Sequence, residues 1–203
     1  MSIYEKIYYV CTMKFNSTPR ERILETAYKL FYTQGYNMTG INQILDEAKV
    51  AKASLYQHYG SKEELGVEYI KKVREDWFLA FETHLAKKKD PKQKILTAFD
   101  FLEINMKIND FKGCRFLNLL ADIDSTSSEM QKQILEHKTK LRNLFLTLIQ
   151  LYSKENVAFI HENVHDIIYL LFEGAIVESK VYKDIWPIET AKRTVKNILK
   201  FSN

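Results

Sequence analysis

The chain predicts an all-α fold, with a three-helix unit near the N-terminus and a larger helical body behind it. Three observations carry that prediction. Pro and Gly are scarce, at 3 and 6 of 203 residues, while Leu, Ile, Lys and Glu are plentiful, a balance that favours helix over sheet. Ile41, Ile44, Leu45 and Ala48 fall at i, i+3, i+4 and i+7, which is one face of a short helix. From Lys62 the apolar positions Leu65, Tyr69, Val73, Trp77, Ala80 and Phe81 keep helical period to about Leu85, a rod of more than about 30 Å at 1.5 Å per residue.

Composition bounds the rest. A hydrophobic content of 46% is ordinary for a globular protein. The formal net charge of +4 and pI near 8.8 suit a nucleic-acid partner without arguing for one. The two cysteines, Cys11 and Cys114, form no disulfide framework or metal-spaced pair, and a reducing cytoplasm is the expected location. No run approaches the roughly 18 apolar residues that span a bilayer, so no membrane partner is expected. Residues 1–16 read as an N-terminal extension. It is apolar at Ile3, Tyr4, Ile7, Tyr8 and Cys11, but Glu5 and Lys6 interrupt it as they would not in a signal peptide.

Residues 17–66 read as a helix-turn-helix DNA-binding domain. Ser17 or Thr18 caps a first helix with Pro19 in its first turn. Ile23, Ala27, Leu30 and Phe31 form its buried stripe, and Gly35 ends it. Thr39 is placed to cap the helix that carries Ile41 to Ala48. Lys49, Val50 and Ala51 have the length of a tight interhelical turn, with Val50 as its apolar plug. A second short helix then runs from Lys52 to about His58. With Leu55 and Tyr59 turned inward, Lys52, Ala53, Ser54, Tyr56, Gln57 and His58 face outward. Lys, Ser, Gln and His offer hydrogen bonds to base edges and phosphates, Ala53 permits close approach, and Tyr56 reaches a phosphate through its hydroxyl. Ser61 and Glu64 form a capping box for the long helix, whose first amides, with Lys62, are placed to grip phosphate.

These residues resemble a known family. Arg22-Ile23-Leu24, Ala27, Leu30-Phe31, Gly35-Tyr36, Thr39, Ile44, Ala48, Val50, Leu55-Tyr56, His58-Tyr59, Ser61-Lys62-Glu63 and Leu65 match, in order and spacing, the N-terminal domain of the tetracycline-repressor (TetR) family. The resemblance covers roughly residues 20 to 66. It implies that the helix from Lys52 enters the major groove and that Thr39, Tyr56, His58 and Lys62 occupy phosphate-contacting positions. It further implies a homodimeric regulator of double-stranded DNA with a small-molecule effector. Two positions depart from the pattern: Lys49 stands where the family usually has Gly, and Ala51 where it usually has Ser.

Residues 67–203 read as a helical ligand-sensing and dimerisation domain. Lys87-Lys88-Lys89 closes the long helix, and Asp90-Pro91 opens the next, through Ile95, Phe99, Leu102 and Met106. A loop at 109–113 precedes a short apolar helix from Gly113-Cys114 to Leu120, and a polar break at 124–129 precedes a long helix from Met130 to Leu151. The helix from about Val164 to Tyr182 is apolar on more than one face and must be covered on both sides. With the last helix, opened by Pro187, it supplies the expected dimer face: Ile167, Leu171, Gly174, Ala175, Val195 and Ile198. Trp77, Phe81, Phe99, Leu102 and Phe116, with Leu120, Phe145, Tyr169 and Phe172, are candidate lining for a pocket that suits a flat or apolar effector, although core packing accounts for each of them singly.

One catalytic motif matches in letters. His161-Glu162-Asn163-Val164-His165 is H-E-x-x-H, which on a helix offers two zinc ligands and a general base, so a zinc-dependent hydrolase is the alternative reading. A catalytic zinc needs three protein ligands, and no clear third follows His165. No enzyme activity, cofactor or metal is therefore expected. Cys114, at a helix N-terminus, is a candidate for a lowered pKa, with plain burial as the alternative.

Overall fold

The computed structural model describes residues 18–124, 128–155 and 163–200, and all the regular structure in them is helical. The helices are α1 (Pro19–Thr33), α2 (Ile41–Ala48), α3 (Lys52–Tyr59), α4 (Lys62–Leu85), α5 (Pro91–Ile108), α6 (Arg115–Asp122), α7 (Ser128–Glu155), α8 (Val164–Tyr182) and α9 (Trp186–Ile198). The all-α expectation is met. Residues 1–17, and with them the expected N-terminal extension, lie outside the described residues.

The chain forms two compact units, the first of residues up to Ala80 with Arg115–Glu136, the second of Phe81–Cys114 with residues from His137 onward. Compactness therefore carries the first unit beyond residue 66, along α4, and adds α6 and the start of α7.

In the first unit, α1 packs on α2 and α3. Thr18 caps α1 through a complete capping box, its hydroxyl accepting the Glu21 N–H while the Glu21 carboxylate accepts the Thr18 N–H at 2.7 Å. Ile23, Ala27, Leu30 and Phe31 are buried, as the spacing predicts, and meet Ile44, Leu45, Ala48 and Leu55 in the core. Phe31 stands edge-on to Tyr36 and Tyr69 at 4.9 and 5.3 Å, a favoured aromatic geometry. Two bonds fix α1 to the reading helices: Arg22 Nε donates to the Ala48 carbonyl at the end of α2, and the Tyr59 hydroxyl at the end of α3 donates to the Arg20 carbonyl.

In the second unit, α9 packs on α8 and α5, and α5 on α8. Phe172 is the hub of the core, with Phe81, Phe99 and Phe145 around it at 5.5 to 6.1 Å. The Leu199 carbonyl, beyond the end of α9, accepts from both Lys92 Nζ on α5 and the Tyr152 hydroxyl on α7. A part-buried ion pair joins α7 to α8, with Lys138 Nζ 2.5 Å from Glu173 Oε2 and 3.5 Å from Cys114 Sγ. Burial works against the Lys138 charge, yet Cys114 and Glu173 outweigh it and hold its pKa above the ordinary value.

Candidate nucleic-acid interface

The interface begins with the turn that joins α2 to α3. Lys49 takes the left-handed conformation, φ 54° and ψ 52°, and lets the Val50 N–H reach back to the Leu45 carbonyl at 3.1 Å. A backbone of that hand turns the chain sharply enough for α3 to start within two residues. Val50 is half-buried, and Leu55 and Tyr59 anchor α3 at 0% and 2% exposure. With those two residues inward, Lys52, Ala53, Tyr56, Gln57 and His58 are exposed and Ser54 is half-buried. The outward set inferred from the sequence thus occupies the part of α3 that Leu55 and Tyr59 leave unburied.

Thr39 requires a correction. Gly40, not Thr39, is the N-cap residue of α2, and no side chain caps that helix. Thr39 is fully buried, with its hydroxyl donating to the Gly35 carbonyl at 2.7 Å and accepting from Gln34 Nε2 at 3.2 Å. Its hydroxyl braces the turn after α1 and presents nothing to a phosphate. Ala51, the N-cap residue of α3, likewise supplies no side-chain cap. Both short helices therefore open with first-turn amides that no capping side chain occupies, the arrangement that receives phosphate oxygens. Sequence reasoning missed this at α2 because a Thr just ahead of an apolar helix is itself a capping signal.

Lys62 is placed differently from the other cations. Its ammonium lies 4.4 Å from the centre of the Tyr36 ring, half-buried. Burial lowers its pKa, and the Asp122 carboxylate works the other way. The Tyr36 hydroxyl is pushed up to about 12 by burial and by the charge of Glu63. Ser61 caps α4, accepting the Glu64 N–H at 3.1 Å. Beside the end of α3 an open cleft of about 480 Å³ is lined by Arg20, His58, Ser61 and Lys71 together with Glu63, Glu64, Glu68 and Glu129. Within it Arg20 pairs with Glu68 at 2.9 Å, so its charge is balanced.

The residues expected to line an effector pocket are divided. Phe81, Phe99, Leu102, Phe145, Tyr169 and Phe172 belong to the second unit, where all but the half-buried Tyr169 are buried. Trp77, Phe116 and Leu120 belong to the first. Trp77 is half-buried against Phe78, Phe116 is buried, and Leu120 is 42% exposed. Of the expected dimer-face residues, Ile167 and Gly174 are exposed, and Leu171 and Ile198 are half-buried. Ala175 and Val195 are corrected: both are buried within the chain, where α8 meets α9, and offer no surface to a second copy. Leu170, Val177 and Val181, at i+3, i+10 and i+14 from Ile167, are exposed on the same face of α8 as Ile167.

Of the H-E-x-x-H segment, His161 and Glu162 lie outside the described residues. His165 sits in the first turn of α8 with Nε2 3.4 Å from Asp166 Oδ1, and Asp166 is engaged by Arg142. Among the described residues no group of three or more His, Cys, Asp or Glu is placed to hold a metal ion, and no helix is long and apolar enough to cross a membrane.

A polar helix thrust outward on two buried apolar residues, behind a three-residue turn and beside uncapped helix starts, defines a helix-turn-helix DNA-binding transcription regulator. The family model for bacterial regulatory proteins of the tetR family matches residues 23–69, the helix-turn-helix segment of this chain. The chain is 26% identical over 180 residues, 88% of this chain and 93% of the other, to the negative transcriptional regulator IcaR of the Staphylococcus epidermidis biofilm operon icaADBC. It is 25% identical to the Escherichia coli transcriptional repressor NemR over 89% of this chain and 93% of that one. To the Bacillus subtilis regulator LmrA the likeness is local, 47% over 57 residues, 28% of this chain and 30% of LmrA. Among solved structures, a TetR-family regulator from Streptomyces coelicolor aligns with TM-score 0.78 at 21% identity, over 91% of this chain and 95% of that one. The reduced form of E. coli NemR aligns with TM-score 0.75 at 23% identity, over 89% and 97%. These relatives are transcriptional regulators.

Proposed function

We propose that this chain is a ligand-responsive transcriptional repressor that binds a palindromic operator as a homodimer and is released by a small molecule. The exposed polar face of α3 carries the reading. Lys52, Gln57 and His58 supply side-chain donors and acceptors, Tyr56 a hydroxyl, and Ala53 room for close approach, the mixture that reads base edges and phosphates in a major groove. Support for the dimer comes from α8, where Ile167, Leu170, Val177 and Val181 stand 44% to 68% exposed. Between them, a side chain added at Gly174 would meet nothing within 4 Å. A continuous apolar face of this kind needs a cover, and a second copy supplies an identical one about a two-fold axis. IcaR is a negative regulator and NemR a repressor, which favours repression. The effector acts by preferring a state in which the two α3 helices misfit the operator, which requires unequal affinity for the two states.

The test is selection of bound duplexes from a random pool by the purified protein, followed by sequencing. An enriched motif with two inverted half-sites, centred about one helical turn apart or a multiple of it, is the expected result. An unenriched pool at low salt contradicts the reading.

A further inference from the structure

We propose that Asp122, at the end of α6, is a positioning residue for DNA reading: it fixes the turn between α1 and α2 and so sets the orientation of α2 and α3. The proposal rests on the DNA-binding reading above but concerns a residue 63 positions beyond the end of α3 at Tyr59.

Two hydrogen bonds, a close approach to Gly35 and one electrostatic interaction converge on Asp122, all within the first compact unit. Its Oδ2 accepts the Tyr36 N–H at 2.8 Å, and its backbone carbonyl accepts the Asn37 side-chain amide. Gly35 has φ +95°, and a Cβ built there would lie 2.8 Å from Asp122 Oδ2. Glycine at 35 therefore serves both the backbone conformation and the space the carboxylate occupies. The carboxylate also acts electrostatically on Lys62, whose ammonium lies over the Tyr36 ring. From the other side, the Thr39 hydroxyl donates to the Gly35 carbonyl. The segment 35–39 that launches α2 is thus held between Thr39 and Asp122.

The start of α6 is held as well. The Arg115 guanidinium lies 3.5 Å from the centre of the Tyr32 ring and 4.8 Å from that of Tyr28, both on α1, a cation–π arrangement that favours arginine over lysine. α6 is thereby fixed to α1 at one end and to the exit turn of α1 at the other. An eight-residue helix with both ends so anchored holds the direction in which α2 leaves α1. Asp122 acts through the turn and not by touching DNA.

The experiment compares Asp122→Ala, Asp122→Asn and wild type, reading affinity for the selected duplex and for an unrelated one. Asp122→Ala strips the Tyr36 N–H of its acceptor and should weaken operator binding about tenfold, the scale of one unsatisfied donor. Binding to the unrelated duplex should stay within about threefold, because the phosphate-facing cations remain. Asp122→Asn keeps an acceptor oxygen and should restore most of the operator affinity. Operator affinity unchanged in Asp122→Ala, parallel loss on both duplexes, or an Asp122→Asn as weak as the alanine variant would overturn the proposal. Should Asp122→Ala fail to fold by circular dichroism, Asn37→Ala carries the same test, since it removes the second bond from an exposed side chain. Amide hydrogen exchange gives a readout that needs no DNA. Faster exchange across α2 and α3 in Asp122→Ala is expected, and acceleration confined to Tyr36 overturns positioning even if no operator is ever selected.

Discussion

Lys49 holds a left-handed backbone, φ 54° and ψ 52°, in the turn of the reading head, where a side chain costs on the order of 1–2 kcal/mol. Glycine would remove that strain but add freedom to the unfolded chain, worth about 0.4–1 kcal/mol the other way. Lys49→Gly should therefore stabilise the protein by about 0.5–1 kcal/mol, read as a higher midpoint in urea at unchanged m-value. Ala51, extended at φ −71° and ψ 151°, already has the backbone of a helix cap but no side-chain acceptor. Ala51→Ser should add about 1 kcal/mol, nearly independently unless the two neighbours couple. A midpoint that falls in either variant would show that the turn is held by something other than these local terms. At this scale the sequence was readable where chemistry is local. The start of α1 at Ser17 or Thr18 follows from Pro19 beside them, whereas the left-handed Lys49 and the uncapped Ala51 were marked only by their departure from the family pattern. Thr39 was not readable, because its hydroxyl is claimed by Gly35 and Gln34, and only the folded turn brings them to it.

Periodicity located the helices. The stripes Ile23 to Phe31, Ile41 to Ala48 and Leu65 to Phe81 are buried along most of their length, because a side chain every three or four residues can only meet a core on one face. What periodicity leaves open is which neighbour covers each face. α8 illustrates this: Ile168, Phe172, Ala175 and Ile176 are buried, whereas Ile167, Leu170, Val177 and Val181 are not. Both sets are apolar, so hydrophobicity alone could not divide them, and Ala175 and Val195 were assigned to the wrong side. The division leads to a prediction for the outer face. Leu170→Glu changes a side chain 65% exposed in one chain, so the fold should survive, while burying its charge between two copies should cost several kcal/mol. Sedimentation should find a wild-type dimer and a variant monomer of native helicity. A variant that remains dimeric would remove α8 from the interface.

For the molecule as a whole, the class of protein was legible because the reading head is built from contacts between residues near in sequence. Residues 23–69 carry the family match, and Leu55 and Tyr59 define the outward face of α3 by their own burial. The division into compact units was less legible. It brings Arg115–Glu136 together with α1 to α3, and the pairing of Asp122 with Tyr36 spans 86 positions, a separation over which no local pattern reports. Phe81, Phe99 and Phe145 pack on Phe172, the core role that the sequence already offered for each of them.

DNA reading by the outer face of α3 is the property on which the proposed function turns. Its most direct test is the affinity of the protein for its selected duplex, titrated against salt, in wild type, Lys52→Ala and Gln57→Ala. Wild-type affinity should fall linearly with salt on logarithmic axes. Lys52→Ala should weaken binding to all duplexes and reduce the salt slope by about one, while Gln57→Ala should cost about 1–3 kcal/mol and relax preference at one position of each half-site. A wild-type affinity indifferent to salt, or two variants that bind and discriminate like wild type, would contradict it.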